Sequence, residues 1–228
     1  MKLLNTGASN TKIAKTQKLH DAVRLASLSL MPHPQICAGS KAAGCFDDCL
    51  KSSGRGRFNN VAKARQKKTD YWLDNRAGFL SQLNRELFNF DKLCKKQNVS
   101  GWVRLNTISD ISWEDHQIPQ SFPALNFYDY TKRVARFDKL PANYQLILSY
   151  SGRRQYQKTV ARRPVGVSLA VVFKKYIPQF WNGERVIDGD KSDLINLKAG
   201  CVVGLLAKGR AVHNTNDFVV DPDLVCAG

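Results

Sequence analysis

Acidic residues are scarce in this 228-residue chain: 19 Asp and Glu stand against 35 Lys and Arg, a formal net charge of +16. Long apolar runs are missing as well. The longest, such as Val167 to Phe173, are strand-sized, which excludes a bilayer-spanning helix and a membrane partner. The opening MKLLNTGASNTKIAK has no apolar stretch long enough for a secretory signal, so a cytoplasmic protein is expected. Low-complexity segments and internal repeats are also absent, and with 43% hydrophobic and 24% charged residues the composition excludes disordered, collagenous and coiled-coil classes. Several enzyme signatures are lacking: GxSxG, a phosphate loop ending in Gly-Lys-Ser/Thr, GxGxxG after a strand, and HExxH. His20, His33, His116 and His213 stand alone, which argues against a paired-histidine nuclease.

The positive charge is uneven, with 18 basic and 7 acidic residues in the first hundred. Such a field attracts polyanions, so DNA, RNA or a nucleotide is the expected partner. Lys63, Arg65, Lys67 and Lys68 form its densest helical stretch and are the candidate nucleic-acid contacts. Trp102, Phe127, Tyr128 and Tyr130 can stack on bases, although aromatic residues at strand positions usually belong to the core.

Residues 1–20, rich in Asn, Thr, Ser and Lys, read as a basic flexible arm, and residues 21–228 as a single α/β domain. Within it a first extended run, Val23 to Leu30, leads into a cysteine loop over residues 36–56. A helical segment over 57–97 follows, with a break expected near Thr69-Asp70. In its second half Leu73, Ala77, Leu80, Leu83, Leu87, Phe90 and Cys94 recur every three or four residues and mark one core-facing stripe. Residues 101–228 are strand-rich, with apolar runs at Trp102–Leu105, Leu125–Tyr128, Tyr144–Leu148, Val167–Phe173, Arg185–Ile187 and Val202–Ala207. Apolar runs with few polar interruptions suit strands buried on both faces. The fold class expected is therefore α/β: a partial or irregular (βα) barrel-like parallel sheet, with a long helical segment after an N-terminal three-cysteine loop.

Each apolar run ends in polar residues, and in parallel sheets the loops at the carboxyl ends of strands converge on one crevice. Asn106, Asp110, Asp129, Lys132, Asp188, Asp190 and Lys208 are the candidate catalytic set on that ground. The sharper feature is the C-x7-C-x3-C array of Cys37, Cys45 and Cys49, with Gly39 and Gly44 letting a short loop wrap its thiolates around one centre. Three cysteines can hold three irons of a [4Fe-4S] cluster and leave the fourth open. With His33, or with Cys226 swinging back, they can instead hold a tetrahedral zinc, and a loop that binds no metal is the remaining alternative. Gly54-Arg55-Gly56-Arg57 opens a helix amino terminus, a place suited to an anion. Cys94 and Cys201 read as small hydrophobes.

The stretch from Cys37 through Gly56, then Arg104-Leu-Asn106 with Ser109-Asp110, Phe127 to Lys132, Leu140 to Tyr144, Val186 to Asp190 and Val203 to Gly209, resembles the phage and bacterial proteins related to gene product 88 of mycobacteriophages. The likeness covers roughly residues 20 to 221 and implies a phage-encoded protein working in the host cytoplasm. A more distant likeness is to radical S-adenosylmethionine enzymes, in which three cysteines after the first strand bind a four-iron cluster at the mouth of a partial barrel. That resemblance implies an iron-sulfur enzyme with S-adenosylmethionine as a cofactor. The cysteine spacing differs from the C-x3-C-x-x-C of those enzymes.

Overall fold

The structure, a computed structural model, describes residues 1–6, 11–194, 197 and 200–224. Its strands are β1 (Asn5–Thr6), β2 (Val23–Ser27), β3 (Ser100–Arg104), β4 (Leu125–Thr131), β5 (Tyr144–Ser149), β6 (Leu169–Phe173), β7 (Phe180–Trp181), β8 (Glu184–Asp188) and β9 (Val202–Leu206). They form one sheet in the order β1-β2-β3-β4-β5-β6-β9-β8-β7. From β2 to β6, and on through β9 and β8, neighbours run parallel; the two-residue edge strands β1 and β7 are antiparallel. Successive strands from β2 to β6 are always added on the same side. With right-handed crossovers this sends every connection to one face, and the sheet curls as an open barrel wall. It does not close, as expected of a partial barrel.

Both faces of the sheet are covered, which is why its strands read as apolar runs. On one face Val103, Leu125, Phe127 and Leu146 pack against Leu83, Leu87, Phe90 and Cys94. On the other, Leu25 and Tyr128 meet Ile13, and Ile147, Ala170 and Val203 form a second cluster. The helices are α1 (Thr11–Leu19), α2 (Ser40–Ala43), α3 (Asn59–Asp74), α4 (Arg76–Gln97), α5 (Ile118–Ser121) and α6 (Gln157–Val160). Among the described residues, only the β2–β3 connection carries full-length helices; the other parallel crossovers are made with turns and four-residue helices.

Two expectations change. The break in the long helical segment falls at Asn75, whose side chain accepts from the Gly78 N–H and caps α4. Thr69 instead stays inside α3, its hydroxyl lying between the carbonyls of Arg65 and Met31. Correspondingly Trp72 and Phe79 join the buried stripe, while Ala77 is exposed. The arm is not loose where it is described: Leu3, Leu4 and Ile13 are buried. The N–H groups of Leu3 and Leu4 donate to the Glu86 carboxylate, and the Lys68 ammonium donates to the Leu3 carbonyl. Three apolar residues spaced among many polar ones are enough to dock a segment whose average composition reads as loop. No helix among the described residues is long and apolar enough to cross a membrane.

Candidate functional site

A cavity of about 840 Å³ lies at the carboxyl ends of the parallel strands. Cys37, Cys45 and Cys49 line one wall; Arg104, Asn106, Tyr130 and Lys132, from the ends of β3 and β4, supply the floor; Asp190, Leu205 and Lys208 close the far side. Tyr128 and Ile147 pack on the cavity-side face, and alternation along a strand carries Tyr130 to that same face two residues on.

The cysteine loop is fastened to this floor at several points. The Asp110 N–H donates to the Ile36 carbonyl at 2.8 Å, the Ser151 hydroxyl to the Ala43 carbonyl at 2.7 Å, and the Asn216 amide to the Gly44 carbonyl at 3.0 Å. Gly44 ends α2 with φ at +73°, a conformation that glycine adopts without strain. At Gly39 the requirement is space: an added Cβ would stand 2.6 Å from the Lys132 Cβ. Gly39→Ala is expected to push the loop off β4 and to cost about 1–3 kcal/mol, read as a lowered midpoint in denaturant; an unchanged midpoint would show that the contact yields freely.

Burial shapes the thiols. It pushes Cys37 up to about 12, helped by the nearby Cys49, Asp110 and Cys45. Cys45 and Cys49 are raised for the same first reason. Without a metal the three therefore stand as neutral thiols, those of Cys37 and Cys45 donating weakly to the carbonyls of Ile108 and Ser40. Lys132 reaches in beside them. Its ammonium donates to the Tyr150 carbonyl at 3.0 Å and sits 4.9 Å from the Phe218 ring centroid. Burial pulls its pKa down, against the opposing pull of Cys45, Asp110 and Cys49.

The polar strand ends do meet, largely through partners within the protein. The Asp129 carboxylate accepts from the Asn106 N–H at 2.8 Å and the Tyr144 hydroxyl at 2.7 Å. Burial lifts its pKa to about 7, against Arg104, the Tyr144 hydrogen bond and Arg136. Asp110 accepts from the Thr131 hydroxyl, the Lys132 N–H and Arg136. Arg136 in turn forks onto Glu114, both bonds at 2.8 Å, and donates to Tyr144. Of the seven candidates, Asn106, Asp110, Lys132, Asp190 and Lys208 line the cavity, whereas Asp129 lies beneath its floor and Asp188 outside it. Asp188 shapes its turn by accepting from the Asp190 N–H, and Asp190 pairs with Lys208 at 2.5 Å.

The basic residues divide differently from the sequence expectation. Lys63 and Lys67 are exposed, but Arg65 and Lys68 line the cavity, so the four do not form one surface. Gly54, Arg55 and Gly56 line it too, in a 3-10 turn, while Arg57 lies 5.7 Å from the Phe58 ring outside. Sequence reasoning missed Arg104, Arg136, Glu114, Tyr144 and Asp193. The available signal was a charge standing within an apolar strand run, as Arg104 does in Trp102–Leu105.

His33 spends its Nδ1 on the Gln35 N–H, capping the turn before Cys37. Cys226 lies outside the described residues. Among the described residues no three His, Cys, Asp or Glu side chains converge as the ligands of one metal ion. The family model described as gene product 88 matches residues 2–222. No curated protein and no solved structure matches the chain.

Proposed function

We propose, for a chain that belongs to the gene product 88 family of phage proteins, a metalloprotein that holds a [4Fe-4S] cluster through Cys37, Cys45 and Cys49 and acts on a phosphate-bearing or nucleic-acid substrate. The observation that carries this reading is that the three thiols, on one loop after the first parallel strand, all line the cavity at the sheet's carboxyl ends. A soft, all-thiol donor set suits iron-sulfur chemistry. A single zinc would draw its sulfurs onto one tetrahedron at about 2.3 Å, closer together than a cubane draws them. When bound by three thiolates, a four-iron cluster leaves one iron open to a donor atom from the cavity.

The chain's own residues prepare that space. Asp110 orients the Lys132 backbone through its N–H, and Lys132 places a cation beside Cys45, where it offsets thiolate charge. The turns at Gly39 and Gly44 bring the loop against the floor, and the rings of Phe46, Tyr130 and Phe218 add apolar surface to the lining. Sequential parallel strands with a three-cysteine loop after the first also support S-adenosylmethionine as a co-substrate. The working location is the host cytoplasm. The rival reading, a basic nucleic-acid-binding protein of phage replication or host takeover with a structural zinc or no metal, draws less support because Lys63, Arg65, Lys67 and Lys68 are divided between surface and cavity.

Iron and acid-labile sulfide, measured on protein purified without oxygen, test the assignment. Wild type is expected to carry about four of each per chain, with both largely lost in Cys37→Ser, Cys45→Ser and Cys49→Ser. Folded wild type with one zinc or no iron, or serine variants with undiminished iron, would overturn it.

A further inference from the structure

Buried donors without acceptors are rare in native proteins, and each one marks a group that something else satisfies. Among the described residues, two such buried side-chain atoms belong to residues lining the cavity, and both are guanidinium nitrogens: Arg65 Nη1 and Arg104 Nε. An arginine presents its donors in a rigid fork suited to planar or tetrahedral oxyanions. Two guanidinium groups in one cavity, each with a donor that no protein acceptor meets, therefore fit an anionic ligand there.

The surroundings sharpen this. Arg104, at the end of β3, is held before any ligand arrives: its Nη1 bonds the Asp193 carboxylate at 3.0 Å, and its guanidinium carbon lies 4.7 Å from the Tyr130 ring centroid. Asp193 is itself tied by the Tyr128 hydroxyl and by its own N–H to Thr16. Arg65 is pressed against the glycine turn, with its Nη1 2.8 Å from where a Gly56 Cβ would be, so Gly56 makes room for the guanidinium. Burial disfavours the Arg65 charge, with Cys49 opposing, and Arg65 in turn disfavours the charge on Lys68. Of the acidic residues of the lining, Asp110 is paired with Arg136 and Asp190 with Lys208, which leaves Asp48, bonded to the neutral Asn214 amide, against the lining cations Lys15, Arg55, Arg65, Lys68, Arg104 and Lys132. The cavity thus keeps a surplus of positive charge in a partly dehydrated space, where a phosphate is bound far more strongly than at a solvated face.

We infer that the cavity binds a small phosphate-bearing molecule of nucleotide size, with Arg65 and Arg104 as the donors to its phosphate oxygens. A volume of about 840 Å³ falls within the usual range for small-molecule sites, about 300–1,000 Å³. A polynucleotide instead needs an open basic groove that tracks its backbone, and α3 exposes only Lys63 and Lys67 of its four central cations. The inference deepens the proposed function by choosing the small phosphorylated ligand over the polymer. It rests on that reading only in taking this cavity as the functional site.

Calorimetric titration of the full-length, anaerobically purified protein with adenosine diphosphate, with inorganic pyrophosphate and with a single-stranded DNA oligonucleotide decides the matter. One diphosphate is expected to bind per chain, more tightly than the oligonucleotide. Arg65→Gln and Arg104→Gln are each expected to weaken it by about ten- to a hundredfold, as for other charge-assisted bonds to a buried anion. Arg104→Lys keeps a charge opposite Asp193 but loses the fork; a near-native melting temperature with weakened binding would separate recognition from folding. Pyrophosphate binding as tightly as the nucleotide also supports a phosphate site. Failure of folded wild type to bind either diphosphate would overturn the inference. So would unchanged affinity in both glutamine variants, or tighter oligonucleotide binding that is lost on Lys63→Gln and Lys67→Gln. The titration does not read iron, so its failure and failure of the cluster assignment are observed separately.

Discussion

Arg136→Met is expected to cost about 3–5 kcal/mol, because removing one partner of a buried ionic cluster leaves the remaining charges desolvated and unpaired. Arg136 is 2% exposed and serves Glu114 with two bonds, Asp110 with one and the Tyr144 hydroxyl with another, each at 2.8 Å. Met fills most of the volume, so the loss is electrostatic rather than a cavity effect. For a domain of this size the melting temperature should fall by roughly 6–20 °C, at about 2–4 °C for each kcal/mol. Glu114→Gln in the same chain should recover part of the loss by removing one orphaned carboxylate, and a double-mutant cycle measures how much. A drop smaller than about 1 kcal/mol would show that water reaches this cluster and screens it. The position matters beyond stability: Asp110, the third member, also holds the Lys132 backbone at the cavity floor, so Arg136 sets the geometry there from below.

Asn106→Ala should destabilise by at least about 3 kcal/mol, since several buried groups lose their partner at once and each orphan costs about 1–3 kcal/mol. The Asn106 carbonyl oxygen accepts from the Ser109 hydroxyl, the Ile111 N–H and the Trp113 indole; its amide donates to the Ile111 carbonyl and to Asp129. The residue thereby folds the loop after β3 on itself and ties it to β4. This bears on the choice between a chemical and a structural role for a residue that the sequence places in the catalytic set. If Asn106 works mainly by holding the loop, Asn106→Ala loses stability in denaturant titrations, and ligand affinity falls only as the folded fraction falls. Undiminished stability together with abolished nucleotide binding would instead put the side chain in direct contact with the ligand.

Most of the sheet was legible because parallel strands covered on both faces must be apolar almost throughout. Val23 to Leu30 and the six later runs contain β2 to β6, β8 and β9 to within a few residues. The expected helix break lies about one and a half turns before the observed one because Thr69 and Asn75 are both competent caps, and burial of Thr69 against the Met31 carbonyl is invisible without the tertiary contact. Lys68 read as part of a surface stripe for a similar reason: its partner, the Leu3 carbonyl, is 65 residues away. The cysteine wall was legible from local spacing. The unmatched nitrogens of Arg65 and Arg104 were not, since an arginine in a sequence carries no mark of whether its donors are met.

From the sequence alone follow the parallel α/β architecture, the three-cysteine loop after the first parallel strand, the family and the excess of positive charge. These depend on composition, short-range periodicity and local spacing, which any segment carries with it. The tertiary structure alone decided which charges are used up and which remain. Arg136 with Glu114 and Asp110, Arg104 with Asp193, and Asp129 with Tyr144 are joined by packing across separations of 15 to 89 residues. Only when those pairs are assembled do Arg65 and the one Arg104 nitrogen without an acceptor stand out, because the worth of a charge is set by what surrounds it after water has been removed.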